Sequence, residues 1–298
     1  MLAFAWSEFF QQITSGLATG SIYASLALAL VLIYRTTHVV NFAQGEMATF
    51  TTYIAWTFMN HGLAYWPAFV LTLLIAFTGG VCVERALIRP VEHRPEIVIV
   101  ILTIGLLIVI NGLTGWIWGA DVKAVDSPFP NRSVEVAGVS ISIQDIGTFG
   151  VCLVSVIVLW TFFRFTTLGL AMRSVAVNAE ASRLMGVRVG WMLALGWGFA
   201  AVLGAIAGLM AAPTAFLDPN MMLVILVYAF AAAVLGGIDS PVGAIVGGLV
   251  LGVAVNLLGR YVGGVGEELK LPTALAILLI VLLVRPAGLL GRVVVRRV

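Results

Sequence analysis

The stretch "IVIVILTIGLLIVINGLTGWIW", residues 97–118, contains no charged side chain. It is several times longer than an ordinary β-strand, and its apolar residues do not alternate with period two. It matches the roughly 20 apolar residues that carry an α-helix across a bilayer. Hydrocarbon offers no partner to backbone N–H and C=O groups, so only helices and closed barrels cross it. A long run without alternation selects the helix. Polar side chains inside it are few, and Thr103 and Asn111 are among them.

The rest of the chain follows the same pattern. Of its 298 residues, 61% are hydrophobic and 10% charged. Soluble domains carry about 25% charged residues, so this chain cannot cover a soluble surface. Apolar runs fall at 9–34, 42–58, 64–83, 97–118, 146–163, 190–212, 221–235, 244–258 and 271–284. The expected fold is all-α: a polytopic transmembrane helix bundle of about nine spans (eight to ten) in one domain, 1–298. Several runs are short for an untilted crossing and read as half-helices or spans sheltered in the bundle. The first run lacks a positive flank, since the first Arg is Arg35, and it is too long for a signal-peptide core. It reads as a retained first membrane helix.

Basic residues set the expected orientation. Arg35, Arg85, Arg89, Arg94, Arg164, Arg173, Arg183, Arg188, Arg285, Arg292, Arg296 and Arg297 share one side if nine spans alternate. Lys123, Arg132, Arg260 and Lys270 take the other. The positive-inside rule then puts the N-terminus outside and the C-terminus in the cytoplasm. The loop 119–145 is external, and "SVEVAGVSIS" within it alternates about a Gly, which predicts a small β-hairpin. Cys82 and Cys152 lie in apolar runs and read as two small buried side chains, with no disulfide. Gly196, Ala200, Gly204 and Gly208, and likewise Gly243, Gly247 and Gly248, have the spacing that lets helix backbones pack closely in lipid.

"VVNFAQGEMATF", residues 39–50, places an Asn, a Gln and a Glu between apolar runs. Asn41 and Gln44 have capping-box spacing, so a helix is expected from Phe42, with Asn41 as its cap and Gln44 reaching back. Glu46 suits the first turn of that helix. A broken helix end that faces a cavity is also where membrane transporters meet their ligands, and ionisable groups in such segments face the bundle interior. Capping and a place on a substrate pathway, near its inner end, are compatible. "NAEASRLMG", residues 178–186, predicts a short helix over 179–185 in the cytoplasmic loop 164–189, begun by Asn178 and stopped by Gly186. Ala181, Leu184 and Met185 share its apolar face, and Glu180 and Arg183 have pairing distance along the helix. Such a face lies on the membrane surface or docks into a partner.

"EASRLMG" resembles the cytoplasmic coupling loop of ABC importer permeases. "NFAQGEM", "GGIDSPVGAIVGG", "RPAGLLG", "GLATGSIYASLALALVLIYR" and "ERALIRPV" resemble the permeases for branched-chain amino acids, in the same order. The likeness runs from about residue 13 to 292, with the loop 119–145 matching least. It implies an inner-membrane protein of a bacterium or archaeon that pairs with a second permease. Two cytoplasmic ATPases would engage Glu180, Ala181, Arg183, Leu184, Met185 and Gly186. An external binding protein would deliver the ligand. ATP and Mg²⁺ would be used by the ATPases, with no cofactor on this chain, which has no G-x-x-x-x-G-K-[ST] run. The implied ligand is leucine, isoleucine, valine or a related amino acid. Relatives for urea or short amides share the motifs. A zwitterion with an apolar tail needs a few polar groups in an apolar wall, and Asn41, Gln44, Glu46, Asn111 and Thr103 are the candidates.

Two other classes fit less well. A gradient-driven transporter needs ionisable groups near the membrane centre, and this chain has almost none. For an enzyme, His38, His61 and His93 show no metal-ligand spacing, and no Ser or Cys has a motif partner. No catalytic or metal-binding residue is expected, and neither is nucleic acid.

Overall fold

A computed structural model describes residues 6–136, 138–262 and 269–291. These residues form eleven α-helices and one hairpin. In chain order the first four helices are α1 (Trp6–Thr37), α2 (Gln44–Asn60), α3 (Tyr65–Val83) and α4 (Glu96–Trp118). Strands β1 (Ser133–Val136) and β2 (Val139–Ser142) precede α5 (Ile143–Phe165). Then come α6 (Thr167–Val177), α7 (Ala179–Leu184) and α8 (Val189–Ala215), followed by α9 (Met221–Gly236), α10 (Pro241–Tyr261) and α11 (Lys270–Val284).

A helix lies over each of the nine apolar runs. Six of the helical segments are long and apolar enough to cross a membrane: α1, α3 with its extension to Val91, α4, α5, α8 and α10. Helices α9 and α11 are shorter apolar helices. Helix α2, with 17 residues, keeps polar side chains along its buried length. Large apolar residues such as Leu74, Ile97, Ile108, Val158 and Ile280 are exposed, as lipid-facing positions must be.

Contacts divide the chain into two compact units. The first holds residues up to 28, 126–152 and from 224 onward. Small residues set its packing. A Cβ on Gly252 would collide with the backbone of Gly20, and one on Gly248 with Ala24, so α1 and α10 approach backbone to backbone. Ser240 caps α10, its hydroxyl accepting from the Gly243 N–H at 3.0 Å. Two separately quoted motifs meet here. The Leu289 and Leu290 N–H groups donate to the carbonyls of Leu235 and Gly236, joining "RPAGLLG" to "GGIDSPVGAIVGG". In the hairpin, Ser133 faces Ser142 and Val136 faces Val139, with Gly138 at φ +79° in the turn. The hairpin expected from the alternation is present.

The second unit holds residues 29–125 and 153–223. Helices α3 and α8 run antiparallel: Tyr65 donates to the Leu209 carbonyl, and Gly80 meets the Trp197 carbonyl. Helix α2 runs beside α8, where a Cβ on Gly208 would strike the Thr52 hydroxyl and the Ala48 carbonyl. The glycine spacing thus serves close packing. Met47, Ala76, Ala201 and Ala205 form a core among α2, α3 and α8. Met172, Val175, Val189 and Met192 form a second one, which seats α6 on α8. Helix α3 does not stop at Val83. It widens into a π-turn over Glu84–Ile88 and tightens into a 3₁₀ turn over Arg89–Val91.

Three expectations need correction or restriction. Helix α6 was not expected: the loop 164–189 holds two helices rather than one. Cys82 is exposed, not buried, whereas Cys152 is buried, and both are free thiols. Arg292, Arg296 and Arg297 lie outside the described residues.

Candidate functional site

Helix α2 begins deep in its unit. The Gln44 side-chain amide donates to the Ala200 carbonyl at 2.8 Å, and Ala200 lies eleven residues beyond the start of α8. At the helical rise this is a depth of about 16 Å. The chain therefore enters α2 inside the bundle. The expected capping box does not form. Helix α2 starts at Gln44, not Phe42, with Ala43 as its cap residue and no side-chain cap. Asn41 instead closes a turn just before it, its Oδ1 accepting from the Ala43 N–H at 3.0 Å. Its Nδ2 donates to Gln44 Oε1 at 3.1 Å. The Gln44 side chain is thus committed to Asn41 on one end and α8 on the other. Asn41 is 1% exposed and Gln44 fully buried, so these bonds replace those that water would supply.

Two residues further along, Glu46 is fully buried. Its Oε2 accepts from Asn111 Nδ2 at 3.2 Å, across to α4. The same Asn111 amide donates to the Pro219 carbonyl and to Asn220 Oδ1, both at 3.1 Å. The Asn220 N–H in turn donates to Asp218 Oδ1 at 2.7 Å. Glu46 Oε1 has no partner among the described residues. Nor does the hydroxyl of buried Tyr53, whose ring stacks on Trp118 at 5.1 Å. Trp118 donates to Thr57 at 2.8 Å, and Lys123 lies 5.0 Å over the Trp56 ring. Three elements meet at Glu46: α2, α4 and the α8–α9 linker.

Thr103 stays outside this group. It is fully buried, and its hydroxyl donates to the Val100 carbonyl of its own helix at 2.9 Å. Asp218, Pro219 and Asn220 were missed, because they fall between apolar runs and read as a plain connection. The "DPN" triplet was the available signal, since Asp, Pro and Asn together mark a turn with its own hydrogen bonds.

The second region is α7. Asn178 caps it as expected, Oδ1 accepting from the Ala181 N–H at 2.9 Å. Its far end is a full Schellman closure. The Val187 N–H donates to Ser182 and the Gly186 N–H to Arg183, with Gly186 at φ +83°. Ser182 is the buried position of the helix, and its hydroxyl donates back to the Asn178 carbonyl at 2.8 Å. On the outer side Leu184 is 89% and Met185 84% exposed, with Ala181, Glu180 and Arg183 also exposed. The expected Glu180–Arg183 pair is absent among the ion pairs of the described residues. Also among the described residues, no group of three His, Cys, Asp or Glu side chains could hold a metal ion.

Comparison with known proteins matches residues 12–284 to the family described as branched-chain amino acid transport system / permease component. The chain is 31% identical to the high-affinity branched-chain amino acid transport system permease protein LivH of Salmonella typhimurium. That alignment covers 97% of this chain and 98% of the relative. LivH of Escherichia coli gives the same identity and coverage. The permease protein BraD of Pseudomonas aeruginosa is 32% identical over 98% of both chains. With its long apolar helices, the protein is a multi-pass membrane protein, and it belongs to the family of permease components of branched-chain amino acid transport systems.

Proposed function

We propose that the chain is one permease subunit of an ABC importer for leucine, isoleucine, valine or a related hydrophobic amino acid, and that it forms half of the translocation pathway. Glu46 carries this reading: a carboxylate with no exposure, one oxygen bonded to Asn111 and the other unpartnered. A charge at such depth marks a pathway, because its burial is unfavourable without a functional partner. The unpartnered oxygen suits the ammonium of a zwitterion. Asn111 and the Gln44–Asn41 pair complete the polar wall, with Thr103 as its most peripheral member. The depth of Gln44 supports a wall that lies in the body of the bundle.

All nine apolar helices cross the inner membrane as a single permease domain, 1–298, with the N-terminus outside and the C-terminus in the cytoplasm. Helix α7 then faces the cytoplasm and docks into a cleft of an ATPase through Ala181, Leu184 and Met185. Glu180 and Arg183 sit at the rim, and Gly186 closes the helix. The working complex contains a second, homologous permease, two such ATPases that use ATP and Mg²⁺, and an external binding protein. No cofactor or nucleic acid binds this chain.

The test is ATP hydrolysis and uptake by the reconstituted complex with the binding protein and candidate ligands. Stimulation by leucine, isoleucine or valine is expected; stimulation by urea or an amide alone would reassign the ligand. Glu46→Gln should assemble and transport poorly. Unchanged uptake in that variant would remove Glu46 from the pathway.

A further inference from the structure

A second buried carboxylate lies outside the group around Glu46. Glu84 opens the π-turn after α3 and is 1% exposed. Its Oε2 has no hydrogen-bond partner among the described residues. It lines a cavity of about 180 Å³ that lies wholly within the second unit. Trp197, 1% exposed, lines the same cavity, and its indole N–H is likewise unpartnered. Two residues of the cavity wall thus carry an orphan acceptor and an orphan donor. Leaving either unsatisfied costs about 1–3 kcal/mol or more, so a ligand with complementary groups gains by entering. A π-turn is a frequent mark of a functional position.

The remaining walls define that ligand. Ile88, Ile99 and Leu193 supply apolar surface, and Arg183 of α7 brings an exposed guanidinium with no ion pair among the described residues. Glu92 and His93 also line the cavity and lie 3.4 Å from each other. Arg85 stacks on Trp191 at 3.6 Å, and its Nε and Nη2 have no hydrogen-bond partner among the described residues. Arg85 and Arg89 act on Glu84 only at longer range, since neither forms an ion pair with it. A cavity of ~150 Å³ accommodates benzene, so this one suits a molecule of valine or leucine size.

We propose that this cavity is a second amino-acid site, separate from the pathway, that binds a zwitterion with an apolar side chain. The ammonium meets Glu84 Oε2, the carboxylate meets the Trp197 N–H and Arg183, and the side chain lies on Ile88, Ile99 and Leu193. Under the orientation proposed above, the site opens to the cytoplasm. A bound amino acid ties α7 to the π-turn, so accumulated product slows the coupling helix.

The experiment uses the intact transporter in lipid nanodiscs, without binding protein, titrated with radiolabelled leucine. Saturable binding is expected. Competition by 4-methylpentanoate, which lacks the ammonium, and by isopentylamine, which lacks the carboxylate, should be at least about tenfold weaker than by leucine. Glu84→Gln should weaken leucine binding by a similar factor, and Ile99→Trp, which fills the cavity without touching a charge, should abolish it. If Glu84→Gln fails to assemble, the two analogues and Ile99→Trp still decide. Binding that survives Ile99→Trp and is lost in Glu46→Gln places the ligand in the pathway and overturns the proposal. An absence of saturable binding up to ~10 mM leaves the cavity to water and overturns it too. Uptake driven by ATP and binding protein in the same preparation tests the transport reading separately.

Discussion

The group around Glu46 and helix α7 break opposite rules. The first hides a carboxylate, bonded to a half-buried Asn amide, inside a bundle that is mostly apolar. The second exposes Leu184 and Met185 in a loop bounded by arginines. A buried charge is costly in hydrocarbon unless it is bonded, and an apolar face is costly in water unless it is covered. On the proposed function, each violation is relieved from outside the chain: by a ligand in one case, by a partner protein in the other. The two also differ in what supports them. Glu46 depends on Asn111 and through it on the α8–α9 linker, whereas α7 is closed by its own residues, Asn178 and Gly186. Mutations should therefore spread from Glu46 through the unit and stay local at α7.

The largest effect is expected at Asn111. Asn111→Leu removes the hydrogen bond to Glu46 and also frees the Pro219 carbonyl and the Asn220 side chain. The stranded carboxylate should destabilise the second unit by about 3 kcal/mol. Thermal unfolding of the purified permease reads this directly. Much of the loss should disappear when Asn111→Leu is made in the Glu46→Gln background, because no charge is then left unpaired. An equal loss in both backgrounds would mean that Asn111 acts by packing alone, and the contrast with α7 would weaken.

Leu184→Asp is the counterpart. The side chain is 89% exposed, so stability should move by no more than about 0.5 kcal/mol. Uptake and recovery of the ATPases by pull-down should be lost, and Ala181→Arg should behave alike. Normal uptake with Leu184→Asp would pass the docking role to the segment containing Arg85, Arg89 and Arg94.

Smaller, purely local losses are expected at the ends of α7. Gly186→Ala puts a Cβ on a left-handed residue at φ +83° and should cost about 1 kcal/mol. Asn178→Ala removes the cap bond to Ala181 and should cost about the same. Hydrogen exchange should increase only over α7. Exchange that also rises in α2 or α4 would show that the two regions are already coupled within this chain.

These differences explain what the sequence disclosed. Length and apolarity alone locate the apolar helices, because lipid leaves the backbone no alternative. The ends of α7 are legible too, since Asn178 and Gly186 act on neighbours within five positions. The start of α2 is not, because the Gln44 side-chain amide donates to Ala200, 156 residues away, rather than serving as a cap. Asn220 escapes for the same reason: its partner Asn111 lies 109 residues earlier. Helix α6 carries a local signal as well, since Thr166 caps it by accepting from the Gly169 N–H, while Met172 and Val175 pack against α8. Local signals survive in a sequence, and long-range hydrogen bonds leave no pattern along it.

The smallest effect should come from Thr103, which shares α4 with Asn111. Both are polar side chains in the same apolar run, and composition treats them alike. Their bonding separates them. The Asn111 amide reaches three acceptors on other elements, whereas the Thr103 hydroxyl returns to Val100 in its own helix. Thr103→Val keeps the shape and the β-branch, and the carbonyl that loses the hydroxyl keeps its helical bond. The expected change in stability is within about 0.5 kcal/mol, and uptake should stay close to the parent. Measured beside Asn111→Leu, this asks whether bonding across elements, rather than polarity alone, marks the pathway. A severe uptake defect in a normally stable Thr103→Val protein would put that hydroxyl in contact with the ligand and bring it from the edge of the polar wall into the pathway.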